Sequence, residues 1–425
     1  MKLRIKSIAN YKNIDILGII NYLIFIVSLF NAITLMIWTV YILIYNIKKY
    51  SIEGCLYTLL LIQIRSILNP GLAIPYTGSS GILKWLVVFL CSFIILYYNR
   101  GVFKKKKIFI LNGIFSIFII FVTISSFINS SYPVTALFKI IAYYVPFISI
   151  IIGIYNMQNN NFSYTINKYL SVFVFFSLIL LVSPIGYLRN GIYFQGFANH
   201  PNLFAIIIPL FLANYLYLNY DKFNLVIIIK IIVSFFILTR TQSRTGMISF
   251  CVIFILYLYN LRMKLNKKTL LLSLLILSSL TIYVFYSDSI NKNIVDYLYK
   301  GHDSVTESRE DQQENNLIRF YTHSLCGTGF NVPYDENIKD YSLSFDLVVE
   351  NGNIVISLLG DTGIIGLILF IFSYGYIFIK GEGVLLFIAP LLVCMGEMTF
   401  FSTNNLGILL YFFYGIYFKG RDKIC

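Results

Sequence analysis

Long apolar runs follow one another along the chain with short polar or turn-rich breaks between them, and within a run the apolar positions are continuous rather than alternating. The runs fall at 14–30, 31–47, 52–68, 82–98, 108–128, 134–154, 168–186, 203–219, 224–239, 246–260, 270–286, 355–379, 383–400 and 405–418. A helix needs about 17–25 residues to cross a bilayer. Lipid admits only helices or closed barrels, because each backbone polar group must be satisfied internally. Continuous runs without a period of two are therefore helices. Residues 17–47 read either as two crossings or as one long tilted helix with an interfacial piece, so 12 to 14 transmembrane helices are predicted. One hydrophilic segment interrupts the series and divides the chain into a bundle at 1–286, a large loop at 287–354, and C-terminal spans with a tail at 355–425. The expected fold class is an all-α polytopic membrane protein with one large loop.

Composition strengthens this reading: 58% of residues are hydrophobic and 12% charged, and the mean hydropathy is +0.77. Soluble domains average about 45–50% apolar residues. The opening "MKLRIK" has the charge of a signal-peptide n-region, but the apolar run behind it is too long and lacks a small-x-small cleavage site, so it reads as a retained anchor.

Charge sets the orientation. Lys48, Lys49, Lys104 to Lys107, Lys222, the "RMKLNKK" cluster and the C-terminal "FKGRDK" all fall on one side if the spans number fourteen. Basic residues in short loops favour the cytoplasm, which puts both termini there, in a cytoplasmic membrane. The net charge of +14 is then in part a topology signal, and nucleic acid is not an expected partner. The 287–354 loop holds 12 of the 19 acidic residues against five Lys and Arg, and is expected to be extracytoplasmic. Helical patterning in "REDQQENNLIRFYTHSL" favours a functional lid over a disordered linker. Thr328 in this loop is expected to be reachable from outside.

Metal and nucleotide chemistry find no support. His200, His302 and His323 lie far apart, no Asp-x-Asp pair occurs, and there is no P-loop, so metal independence and no cofactor are expected. The six cysteines imply no disulfide framework. What remains is arginine. "TRTQSRTG" places Arg240 and Arg244 on one face if the turn between them is helical. Arg309 and Arg319 follow in the large loop. A guanidinium grips phosphate with two parallel donors and never deprotonates, so the four suit a lipid pyrophosphate. The competing reading is that each snorkels to lipid headgroups. Within the spans, Arg65 and Glu397 are the charges a transport path would use, and both sit towards outer ends where they pair with each other or face water.

These residues resemble those of the O-antigen polymerase and O-antigen ligase superfamily. The resemblance spans about residues 194–370 and rests on "FANHPNLFA", "QSRTG", "ESRED", "HSLCGTGF" and an Asn separated by nine residues from Gly363-Ile364-Ile365-Gly366. It implies a C-type glycosyltransferase-like membrane enzyme. The substrates would be glycans linked to undecaprenyl pyrophosphate, the surroundings membrane lipids, the product an O-antigen or capsule, and one expected partner a chain-length regulator. It adds His200, Asn202 and Asn353 to the arginines as substrate-binding residues. Gly352 stands where ligases of this kind carry a histidine, which favours a polymerase joining lipid-linked repeat units over a ligase; a lipid-linked oligosaccharide flippase is the remaining alternative. Glu350, two residues earlier, becomes the candidate catalytic base, against the plainer reading of a helix cap. His323 beside the glycine turn is the second catalytic candidate.

Overall fold

The computed structural model describes residues 16–157, 161–188, 191–262, 310–344, 347, 349, 352–402 and 405–420. The helices are α1 (Ile16–Ser28), α2 (Ala32–Tyr50), α3 (Glu53–Ser66), α4 (Gly78–Tyr98), α5 (Lys106–Asn129), α6 (Pro133–Asn156) and α7 (Asn161–Phe176). They continue as α8 (Pro201–Leu218), α9 (Leu225–Thr241), α10 (Arg244–Arg262), α11 (Glu310–Thr322), α12 (Ile354–Lys380), α13 (Val384–Cys394) and α14 (Gly407–Lys419). Every span read from the sequence except 270–286, which lies outside the described residues, coincides with a helix. Eight of the described helices are long and apolar enough to cross a membrane, and α1, α13 and α14 are shorter apolar helices. The protein is an all-α polytopic membrane protein.

Two expected boundaries shift. The 168–186 span begins earlier, in α7, and ends as 3-10 turns at Ser177–Val182 and Pro184–Gly186, because Pro184 cannot donate to a continuing α-helix. The 383–400 span stops at Cys394, and the chain turns over residues 395–402 into a non-helical return.

The spans run alternately between two ends. At one end, Lys107 Nζ donates to Phe418 O and Lys419 Nζ to Met157 O, two basic residues on carbonyls at helix C-termini where cations are favoured, and Tyr257 Oη donates to Lys222 O. The large loop and the ends of α3, α9 and α13 meet at the other end. In the centre α8 is enclosed by α7, α9, α10 and α13, with 89% of its span buried. α14 fills the neighbouring space against α6. Aromatic residues, 17% of the chain, build a core knot. Tyr143 and Tyr374 share a 2.7 Å hydroxyl contact, and Phe401 lies 4.8 Å from Phe330 and 4.9 Å from Tyr143 between ring centres.

The loop is pinned into a break in α12. Gly363 has φ +67°, which interrupts the helix and releases backbone groups. The turn 324–329 takes them up: Ile364 N donates to Ser324 O, Ile365 N to Leu325 O, Thr328 N to Gly360 O and Gly329 N to Asp361 O. The approach is so close that a Cβ on Gly327 would lie 2.4 Å from the Asp361 carbonyl, and one on Gly363 2.4 Å from that of Leu325. The two glycine pairs seen in the sequence are thus halves of one joint. Arg319 locks it from beneath. Its Nη2 lies 2.6 Å from Asp361 Oδ1 and also donates to Gly329 O, while Nε donates to Thr328 Oγ1 and Nη1 to Asn316 Oδ1. Lys139 on α6 adds a clamp on the carbonyls of Asn331 and Leu347.

Candidate functional site

Three helices begin around one turn. α8 starts at Pro201 behind the N-cap His200, whose Nδ1 accepts from Asn202 N at 3.2 Å. α12 starts behind the N-cap Asn353, whose Oδ1 accepts from Val355 N at 2.8 Å and from Ile356 N at 3.4 Å. α10 starts at Arg244. All three reach the turn 395–399 after α13: Asn202 Nδ2 donates to Glu397 Oε1 at 2.7 Å and Asn353 Nδ2 to Met395 O at 3.2 Å. Gly396 is packed on α10 so closely that a Cβ there would be 1.9 Å from Thr245 Oγ1. Each helix start presents backbone N–H groups and the positive end of a dipole, which together favour an anion. Beside them lies a cavity of about 200 Å³ lined by Leu188, Tyr193, His200, Pro201, Asn202 and Thr241.

His200, Asn202, Arg240, Arg244 and Asn353, far apart in sequence, therefore gather in one region. Arg240 ends α9, exposed over the Phe236 ring at 5.3 Å, and its carbonyl accepts from Phe194 N. The link between Arg240 and Arg244 is not helical as expected: Gln242 has φ +53° and breaks the chain into two helices. Arg319 is elsewhere. Its side chain is 8% exposed and bound to Asp361, so the structure gives it a joint to hold rather than an open phosphate to meet. His323 stands on the loop with Nε2 3.4 Å from Tyr334 Oη and does not line the cavity. Burial pushes the Tyr334 phenol above its ordinary value, helped by the charges of Glu336 and Asp335. The Ser342 backbone N–H and hydroxyl hold Asp340 below the usual carboxylate range. Glu350 and Arg309 lie outside the described residues.

Two corrections follow. Arg65 and Glu397 do not pair with each other: Arg65 Nη2 donates to Ser28 O and Ile74 O, whereas Glu397 accepts from Asn202. Thr328 is fully buried under Arg319, so it is not a reachable position. Sequence reasoning also missed what Glu397 and Asp361 do. Both were visible as acids set in apolar runs, a rare placement that ordinarily marks a specific partner.

The family described as O-antigen ligase matches residues 229–371. The match, over about a third of the chain, supports the O-antigen polymerase and ligase superfamily. The matched stretch runs from α9 to about two thirds of the way along α12, including both arginines of the α9–α10 turn, the large loop and the glycine joint. His200, Asn202 and Glu397 lie outside it, brought in by the fold. No curated protein matches the chain. The match supports a glycosyltransferase-like enzyme of the O-antigen polymerase or ligase type, acting at a membrane on lipid-linked glycans.

Proposed function

We propose that the protein is a polymerase that joins undecaprenyl-pyrophosphate-linked repeat units into a surface polysaccharide at the outer face of the cytoplasmic membrane. The observation that carries this reading is the convergence of three helix starts with Arg240 and Arg244 beside one cavity. Helix starts and neighbouring guanidinium groups both favour a pyrophosphate leaving group. In the transfer, the acceptor hydroxyl attacks the anomeric carbon of the donor, the bond to the pyrophosphate oxygen breaks, and the pyrophosphate departs with the electron pair. Fixed dipoles and guanidinium groups stabilise the charge as it develops. The energy resides in the donor, so no nucleotide or metal enters the scheme. A carboxylate removes the acceptor proton. Glu350 is our assignment, since the neighbouring Gly352 offers no imidazole, and His323 is the fallback. The same absence of a histidine at 352 favours polymerase over ligase.

Deleting the gene separates the readings. A polymerase defect leaves single repeat units on the surface; complete loss of surface glycan would instead indicate a ligase or a flippase and overturn the proposal.

A further inference from the structure

The helix of the large loop is two-sided. Asn316 and Arg319 of α11 face α12 and are buried, whereas Leu317, Ile318 and Tyr321 are exposed. Leu325, in the turn that follows, continues the same stripe at helical spacing. Ile318 is 54% and Leu325 61% accessible. Single exposed apolar residues are ordinary, but four large ones along one face mark a surface that meets something. Polarity also changes along the axis: the helix begins Glu310-Asp311-Gln312-Gln313-Glu314, and its apolar members come last.

Two spans give the height of this face. α12 ends at Lys380 and α5 begins at Lys106, both at the basic end of the bundle. By helical rise, Gly363 is about 26 Å from Lys380, and Ser125 about 29 Å from Lys106. The turn 324–329 meets both helices there: Ile365 N donates to Leu325 O, and Ser125 Oγ to Cys326 O. The hydrocarbon of a bilayer is about 30 Å thick, so the turn lies at its margin on the loop side. Ile364, Ile365 and Ile368 of α12 are exposed next to Leu325, so the stripe on the loop continues the lipid-facing stripe of a span. The inclination of α11 follows from the same joint. A Cβ on Gly360 would lie 2.9 Å from Asn316 O, and one on Gly363 2.4 Å from the Leu325 carbonyl. The contacts from residue 316 to residue 325 thus fall within about 4.5 Å of rise along α12, and α11 lies closer to the bilayer plane than to its normal.

We propose that the outer face of α11 is a lipid contact, seated at the boundary between headgroups and acyl chains on the loop side of the membrane. Leu325 reaches the acyl chains beside Ile365, and Leu317 and Ile318 lie just above it. Tyr321 places its ring at headgroup level with its hydroxyl in water, a position that suits an amphipathic aromatic side chain, so polar reagents still reach it. The acidic start of α11 stays in solution. The large loop is then held twice, by the joint in α12 and by lipid, which fixes its height over the bundle. The contact requires only that the spans cross a bilayer, so it stands whether or not the protein is a polymerase.

Quenching by brominated lipid tests the contact. Leu325→Trp, Ile318→Trp and Glu314→Trp each add one indole at an exposed position, read as emission in excess of that from the wild type's two tryptophans. The full-length protein is placed in phosphatidylcholine nanodiscs with or without bromine on the acyl chains, and iodide serves as the aqueous quencher. Blue-shifted emission is expected from Leu325→Trp and Ile318→Trp, quenched by bromine at least about twofold more than that of Glu314→Trp, which iodide should quench instead. Either apolar position carries the test if the other variant does not fold. Red-shifted emission quenched by iodide at the apolar positions would put the face in water and overturn the proposal. Blue-shifted emission that neither quencher reaches would mean that protein covers the face, a second copy of this chain or another partner, and would overturn it equally. Bromine quenching as strong at Glu314→Trp as at Leu325→Trp would overturn the placement of the acidic end in solution.

Discussion

Removing one member of the Arg319–Asp361 pair should unfasten the large loop. The pair is 2.6 Å apart, with side chains 8% and 0% exposed, and Asp361 Oδ2 also accepts from Asn331 N at 3.0 Å. Asp361→Asn leaves the guanidinium buried without its counter-charge, and breaking such a pair costs about 3–5 kcal/mol. In domains of 150–250 residues each kcal/mol moves Tm by about 2–4 °C, so a fall of roughly 5 °C or more is expected even if a larger chain dilutes the effect. Arg319→Lys should also destabilise, since one ammonium cannot reproduce bonds to Asp361, Thr328, Asn316 and Gly329 together. The double variant Arg319→Met/Asp361→Leu removes both charges and should lose less than the sum of the single losses. The assay is thermal stability of purified protein followed by size-exclusion chromatography, with activity expressed per folded molecule. An Asp361→Asn protein that melts within about 1 °C of wild type would refute the reasoning. An Arg319→Lys protein of normal stability but no activity would restore Arg319 to the substrate.

Other predictions concern separate parts of the account. Gly363→Ala forces a side chain into a left-handed conformation against the Leu325 carbonyl, so folded yield should fall well beyond the usual strain of about 1–3 kcal/mol, as read by detergent-extracted monomer. A cysteine at Tyr321, 77% exposed, should react in intact cells with an impermeant thiol reagent, whereas one at Thr328 should not; reaction of the first only after lysis would invert the topology. Glu350→Gln should stop elongation while membrane insertion persists. Near-normal turnover there would end that assignment and direct attention to His323.

Much of the fold was legible because lipid imposes a simple rule: an unbroken apolar run longer than the bilayer is a helix. Only the ends of elements escaped, as at Cys394, where the return over 395–402 is held by contacts to α8, α10 and α12 that no local pattern encodes. The arginine of "QSRTG" and the "FANHPNLFA" group were legible as candidates through resemblance, and the fold brings them together. Arg319 looked the same in sequence as Arg244. It differs because Asp361, 42 positions away, lies against it, a long-range pairing that a single sequence does not display. The Asn202–Glu397 bond was hidden for the same reason, spanning 195 positions.

Reconstituted elongation with an Arg244→Lys variant tests the central claim most directly. Wild-type protein given only lipid-linked repeat units should produce a ladder of longer lipid-linked chains. Arg244→Lys, folded and inserted to the same level, should leave the units unjoined, because it keeps the charge but loses the planar fork that grips pyrophosphate. A ladder of wild-type length from Arg244→Lys would contradict the assignment of this site to the donor pyrophosphate.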